Sequence, residues 1–372
     1  MNVPKLRFKE FNDESYRKDI LKNIISYIAD NRGKNPDYYL DSGIPVIDNF
    51  MIQNQGYPDL SRANRYIDDN IYENFIRKAI EYNDTLITLV GNGIGNICLT
   101  PKEKCVIIQN TLGLRTNKFN DKKYLYHLLT YKNSEIKKLD RGMAQPSIRQ
   151  DELLKLEVTI PNINEQLKIS NFLSLLDKKI ELQSKKIEDL KLFKLYIRNK
   201  IFSGIKTKDK IINTLNYEQP NRYIVKSDDY LNDENLIPVL TANKAFILGY
   251  CNEDDYYNKG DVIIFDDFTM DSKYVNFNFK IKSSAIKLLT QKNNNNLKYI
   301  FECLQALNLE STEHKRHYIS IVQEIEIPVP DIIVQNKIAN LMFMYDKKIK
   351  LESDNYNKLI ELKKGLMQNM FV

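Results

Sequence analysis

The sequence predicts an α+β protein in which two bodies are separated by two long repeated helices, packed as an antiparallel coiled coil with pseudo-twofold symmetry. Three observations predict it. The segment from Pro161 to Phe202 recurs without a gap as Pro330 to Phe371, at an offset of 169 residues and with 15 of 42 aligned pairs identical. Each copy carries apolar residues spaced alternately four and three apart, the spacing of a coiled-coil seam. Each copy also follows a long stretch of short apolar runs broken by Gly, Asn, Asp and Pro, then a helical segment, then a strand ending at a proline.

The elements follow in order. Residues 1–20 form a leader. The first body, 21–160, contains the strand-like runs Thr85 to Val90 and Cys105 to Ile108, a helical stretch over 124–139, and a strand from Leu156 to Ile160. The first helix occupies 161–204. Pro161 marks its start, Asn162 with Glu165 forms a capping box, and Gly204 stops it. Its seam is Ile169, Leu173, Leu176, Ile180, Gln183, Ile187, Leu190, Lys194, Ile197 and Ile201. The second body, 205–329, carries Asp261 to Phe265, the alternating run Tyr274 to Ile281, a helix near 297–308, and a strand from Ile325 to Val329. The second helix, 330–372, is capped by Asp331 and has the seam Ile338, Met342, Tyr345, Ile349, Glu352, Tyr356, Leu359, Lys363, Leu366 and Met370. Each helix is about 60 Å long. Polar residues fall at the same two seam steps in both copies, Gln183 with Glu352 and Lys194 with Lys363. Polar seam residues fix register, and an antiparallel pair brings Gln183 towards Lys363 and Glu352 towards Lys194. The bodies share order but little sequence, whereas the helices share sequence. Two different targets and one common kind of partner follow from that contrast.

Composition narrows the function classes. A chain of 372 residues with 42% apolar content fills two or three domains. A net charge of +6 permits a polyanionic partner without requiring one. Cys98, Cys105, Cys251 and Cys303 form no Cys-x-x-Cys pair and have no histidine at ligand spacing, which argues against zinc and fits a reducing cytoplasm. Met1 is followed by polar residues rather than an apolar run, and no stretch of 18 apolar residues exists, so neither a signal peptide nor a membrane span is expected.

Several segments resemble one family. Val3-Pro4-Lys5-Leu6-Arg7-Phe8, Asn31-Arg32-Gly33-Lys34-Asn35-Pro36, Gly142-Met143-Ala144-Gln145-Pro146-Ser147-Ile148, Glu165-Gln166-Leu167-Lys168-Ile169, Ile237-Pro238-Val239-Leu240-Thr241-Ala242 and Ile264-Phe265-Asp266-Asp267-Phe268 are similar to stretches of the specificity (S) subunit of Type I restriction–modification systems. The chain departs from the family pattern at Val334, where the first copy has Glu165, and at Glu313 to Tyr318, which replaces the Gly-Met-Ala-Gln segment. The resemblance implies two target recognition domains, each reading one half of a bipartite double-stranded DNA target. The paired helices then set the spacer and dock two methylation subunits. Restriction subunits join through the methyltransferase complex. S-adenosylmethionine, ATP and magnesium belong to those partners, and this chain carries no cofactor, no catalysis and no metal. A close variant is the recognition subunit of a Type IIB-like enzyme. A coiled-coil protein adaptor and a self-sufficient enzyme are the competing classes.

Motifs of independent catalysis are incomplete. Asn35-Pro36-Asp37-Tyr38 has Asp37 where an adenine methyltransferase carries a second proline. Gly91-Asn92-Gly93-Ile94-Gly95 lacks the long helix and acidic partner of a nucleotide fold and reads as a tight turn. His314 and His317 lack the glutamate of a zinc helix, and Asp254-Asp255 and Asp266-Asp267 lack the companions of a nuclease. Arg and Lys read guanine or hold phosphate, and Asn and Gln read adenine. On that chemistry the DNA-contact candidates are Arg32, Lys34, Arg62, Arg65, Arg115, Arg141 and Gln145 in the first body, and Lys244, Lys273, Lys315, Arg316 and His317 in the second.

Overall fold

The computed structural model describes residues 3–33, 35–54, 56–142, 144–242, 246–309 and 317–372. The chain divides into two compact units, one of Met1–Lys185 with Asp354–Val372 and one of Lys186–Ser353. Each contains one body and one end of each long helix.

In the first unit four antiparallel strands lie in the order Ile25–Ala29, Thr111–Thr116, Thr85–Thr88 and Ile97–Leu99. Because strand side chains alternate between faces, Ile87 enters a core with helix α1 (Lys122–Tyr131), while Leu86 and Cys98 enter a second core with Ile47, Met51 and Ile52. Arg17–Ile20 pairs with Glu157–Ile160 and so returns the end of the body to its beginning, just before helix α2 (Ile163–Ser203). The second unit repeats the plan. Its sheet runs Leu215–Glu218, Ile286–Gln291, Val262–Asp266, Ser272–Val275, again first, fourth, second and third in chain order. Helix α3 (Leu297–Ala306) packs on it, and Lys208–Lys210 pairs with Glu326–Pro328 ahead of helix α4 (Ile332–Met370).

Two expected strands differ. Cys105 to Ile108 makes only an isolated bridge, Val106 to Val46. The alternating run from Tyr274 stops at Val275. Lys280–Ile281 then pairs in parallel with Val239 and Leu240, in a separate sheet that also holds Ile247–Cys251. Phe279 turns inward and stacks on Tyr257 at 5.0 Å, leaving Phe277 exposed.

One contact fastens body to helix in both units. The Gln166 side chain, 1% exposed, donates to Asn120 Oδ1 and to the Pro161 carbonyl, both at 3.0 Å, and accepts from the Asp121 amide at 3.0 Å. Gln335, 2% exposed, donates to Asn295 Oδ1 and the Pro330 carbonyl at 2.9 Å and accepts from the Asn296 amide at 2.9 Å. Asp121 and Asn296 are the N-caps of α1 and α3, accepting from Tyr124 and Tyr299 amides. The capping residue is therefore tied to the first turn of the long helix. At the other edge, Phe371 packs on Tyr124 at 5.4 Å and Phe202 on Tyr299 at 5.6 Å.

The capping box forms by half. Asn162 accepts from the Glu165 amide at 3.0 Å, but the Glu165 carboxylate faces away, towards Arg7 at 2.7 and 2.8 Å and Tyr16 at 3.1 Å. A charged donor from the leader outcompetes a backbone amide for this buried carboxylate. Asp331 caps the Val334 amide at 3.0 Å.

The long helices run antiparallel within each unit. In the first, Ile169 and Leu173 share a core with Met367 and Met370. In the second, Ile197 and Ile201 meet Ile338 and Met342. Every position of both predicted seams is buried or half-buried. The polar steps pair differently from expectation. Lys363 takes Asp177 rather than Gln183, and Lys194 takes Asp346 at 2.7 Å rather than Glu352, which pairs with Lys186 at 2.6 Å. Asp177 and Asp346 are repeat equivalents, as are Lys194 and Lys363, so one ion pair is made twice. At Lys363 the Asp177 carboxylate satisfies the ammonium better than the neutral amide of Gln183 would. Burial pushes the Asp177 carboxyl up and Lys363 opposes that shift. His127, buried beside Ser174 Oγ at 3.2 Å, is pushed well below the ordinary imidazole range by desolvation and by Lys363. The corresponding place on α3 holds Glu302, which instead meets Lys194 at 2.7 Å.

Replacing Gln166 by Leu leaves a buried Asn120 carbonyl and the Asp121 amide without partners, and is expected to lower stability by about 2–3 kcal/mol in urea unfolding. Gln335→Leu is expected to cost a similar amount; an unchanged midpoint for both would contradict the role given to this contact.

Candidate nucleic-acid interface

The first unit contains an open cleft of about 630 Å³ on the sheet end where Thr85–Thr88 turns into Ile97–Leu99. The turn is the glycine run read from the sequence. Thr88 N to Asn96 O at 2.9 Å and Gly95 N to Thr88 O at 2.8 Å close it. Gly91 and Gly93 have φ of +84° and +89°, in the left-handed region that suits glycine. A Cβ on Gly91 would lie 3.2 Å from Gln145 Nε2, and one on Gly93 would lie 3.1 Å from Asn96 Nδ2. The backbone here is bare where side chains converge.

The lining is rich in amides. Asn49 donates to the Val90 carbonyl at 2.9 Å, and Asn96 to the Ile52 carbonyl at 2.9 Å, so these two hold the wall in shape. Asn64, Asn92 and Gln145 also line the cleft, are exposed, and have no side-chain hydrogen bond among the described residues. Gly91 N to Pro146 O at 2.9 Å and Ile148 N to Leu89 O at 2.8 Å hold the Gln145 segment beside the glycine turn.

The candidate residues separate by environment. Gln145 and Arg65 both line the cleft, but Arg65 is already engaged. Its guanidinium grips Asp48, reaches Gln109 at 3.3 Å, and lies 4.6 Å from the Tyr39 ring centre. Arg62 is exposed, 5.7 Å from the ring centre of Phe50, a cleft residue, and has no ion pair among the described residues. Arg32 is held in a fork by Asp30 at 2.8 and 2.9 Å. Arg115 joins Asp84 at 2.8 Å and Glu81 at 2.8 Å over the Tyr27 ring, a structural cluster rather than an open cation. Arg141 reaches Glu152 at 2.7 Å while remaining two-thirds exposed. Lys273 is exposed on Ser272–Val275 with no partner among the described residues. His317 requires correction as a surface phosphate contact. It is 6% exposed, and its backbone amide donates to Asp267 Oδ1 at 2.9 Å. Asp267 in turn lies 3.4 Å from the buried Lys287 ammonium, so the chain folds inward here to satisfy two buried charges. Lys34, Lys244, Lys315 and Arg316 lie outside the described residues. Sequence reasoning missed Asn64 and Asn92. The Gly-Asn-Gly triplet was the available signal for Asn92, since a residue between two left-handed glycines stands at a turn tip.

Convergent neutral amides beside one free guanidinium suit hydrogen bonding to base edges with phosphate contact at the rim. No helix among the described residues is long and apolar enough to cross a membrane. The family model described as Type I restriction modification DNA specificity domain matches residues 21–192 and again 201–362. The chain is 44% identical over 140 residues to the Type I restriction enzyme EcoR124I/EcoR124II specificity subunit of Escherichia coli, a match spanning 34% of each chain and so about a third of that relative's length. It is similar in fold to the crystal structure of a Type I restriction–modification S subunit from M. genitalium, with a TM-score of 0.68, 17% identity, and coverage of 100% of this chain and 99% of that one. A chain from a structural study of Type I complex assembly and conformational transition gives a TM-score of 0.54 at 15% identity, covering 95% and 96%.

Arg115→Gln takes the guanidinium away from the Asp84 carboxylate, 1% exposed, and leaves it the Lys122 ammonium at 3.0 Å and the Glu81 amide at 2.8 Å. It is expected to lower stability by about 2 kcal/mol, whereas Arg62→Gln leaves the urea midpoint unchanged. Equal midpoints for the two variants would show Arg115 to be a free surface cation.

Proposed function

This chain belongs to the Type I restriction modification DNA specificity family, and from that premise we propose that it is the non-catalytic subunit that chooses the DNA sequence for a restriction–methylation complex. Each body reads one half of a bipartite target. Two methylation subunits dock on the paired helices and supply S-adenosylmethionine chemistry, and restriction subunits that use ATP and magnesium join through them.

The observation that carries this reading is the duplication itself. Two bodies of the same strand order but different sequence stand on helices of shared sequence, made fast by the same glutamine contact. A common partner suits the outer faces of those helices. Leu175 and Met344 are repeat equivalents and 73% and 67% exposed, and Leu182 with Leu351 and Phe193 with Leu362 are exposed pairs as well. Spacings of seven and eleven residues bring each trio back to one helical face. An exposed apolar residue at each of three equivalent positions in both helices suits two copies of one docking partner.

Methylation mapping of genomic DNA with and without this gene is expected to show one dependent motif, split into two unequal halves by a fixed spacer. A continuous palindrome as the sole dependent motif would refute the proposal. Removing the same whole number of turns from α2 and α4 is expected to change the spacer length in that motif; a spacer that stays constant would remove the helices from that role.

A further inference from the structure

We propose that the first unit reads adenine in the amide-lined cleft, with Asn92 and Gln145 facing the N6 and N7 edge of the base and Asn64 beside them. The inference rests on the DNA-recognition function proposed above and assigns its specificity to particular side chains.

Three observations carry it. First, the free hydrogen-bonding groups of the cleft are carboxamides. Each offers one donor and one acceptor side by side, the complement of adenine N7 and N6, whereas guanine presents two acceptors and calls for an arginine or lysine. Second, the arginine in the cleft is unavailable for guanine. Asp48 holds two of the Arg65 nitrogens and Gln109 the third. The same pair neutralises Asp48, which would otherwise repel a phosphate backbone. Third, the turn is built for close approach. Gly91 and Gly93 flank Asn92 in positive-φ conformations, and side chains at those positions would crowd Gln145 and Asn96. Asn92 is thereby presented at the tip of a hydrogen-bonded hairpin rather than on a loose loop. Arg62, without an ion pair among the described residues and set over Phe50 at the rim, supplies the phosphate contact that holds the duplex in register.

The full chain, with methylation subunits added, is used to select from a duplex DNA library randomised across both halves of the target. The wild-type protein is expected to require adenine at one or more positions of one half. Asn92→Ala and Gln145→Ala are each expected to reduce that requirement roughly 10- to 100-fold at a single position. The other half of the motif stays unchanged and reports that the protein has folded and assembled. Asn92→Asp keeps the shape but replaces the donor with an acceptor, and is expected to shift preference towards cytosine, whose N4 donates. Three results overturn the inference. Selection by the wild type of a split motif that the Asn92 and Gln145 variants leave intact removes the residues while sparing the DNA-recognition function. Weaker binding by these variants with base preference unchanged in both halves assigns them to backbone contact. Failure of the wild type to select any sequence removes both readings together.

Discussion

A buried side-chain amide fixes the relation between each body and the helix that follows it. Gln166 and Gln335 each satisfy three polar groups, and one of those groups is the backbone of a helix N-cap. Burying a carboxamide is costly unless all its capacity is used, so the contact tolerates little displacement. It couples the first turn of the long helix to the first turn of the helix on the sheet. The aromatic contacts of Phe371 on Tyr124 and Phe202 on Tyr299 seat the opposite end of the other long helix against the same short helix. A body is thus gripped from two sides by helices that belong to different copies of the repeat.

Polar residues inside an apolar seam do a related job. A seam of Leu and Ile alone would permit sliding by a heptad, because every step presents the same surface. Lys194 with Asp346, and Lys363 with Asp177, select one register. A slip would leave the largely buried ammonium groups of Lys194 and Lys363 without their carboxylates, a cost that repeating apolar steps do not impose. The two units then diversify around the common pair. The first places a neutral histidine next to it, whereas the second places Glu302 between Lys194 and Arg198.

The cleft of the first body is arranged on the opposite principle. Most arginines of the first body that attract attention in the sequence are committed to carboxylates, where they brace the fold. The groups left open in the cleft are neutral amides, held by a hairpin and by backbone hydrogen bonds to the Gln145 segment. Charge holds the scaffold, and uncharged donors and acceptors are left open in the cleft. That division suits a reader of base edges, since a free charge binds any duplex through its phosphates.

The sequence by itself determined the duplicated helices, which begin at Ile163 and Ile332 just after Pro161 and Pro330, and their seams. These are local or periodic properties, and a period of 3.5 residues maintained over forty positions is visible without coordinates. It also contained the matched segment Asn120-x-x-Lys123-Tyr124 and Asn295-x-x-Lys298-Tyr299. That match sits at an offset of 175 rather than 169 residues, so a gapless comparison of the helices passes over it. Only the tertiary structure decided which polar residues meet. Gln183 and Lys363 lie at compatible seam steps, but Asp177 offers a full charge within reach. Glu165 reads as a local cap until Arg7 arrives from the leader. His317 reads as part of a basic run until Asp267 draws its backbone inward. The free amides of the cleft were hidden for the same reason. Whether a side chain is open or occupied depends on partners distant in the chain, and pairing energies between such groups leave no periodic mark on the sequence.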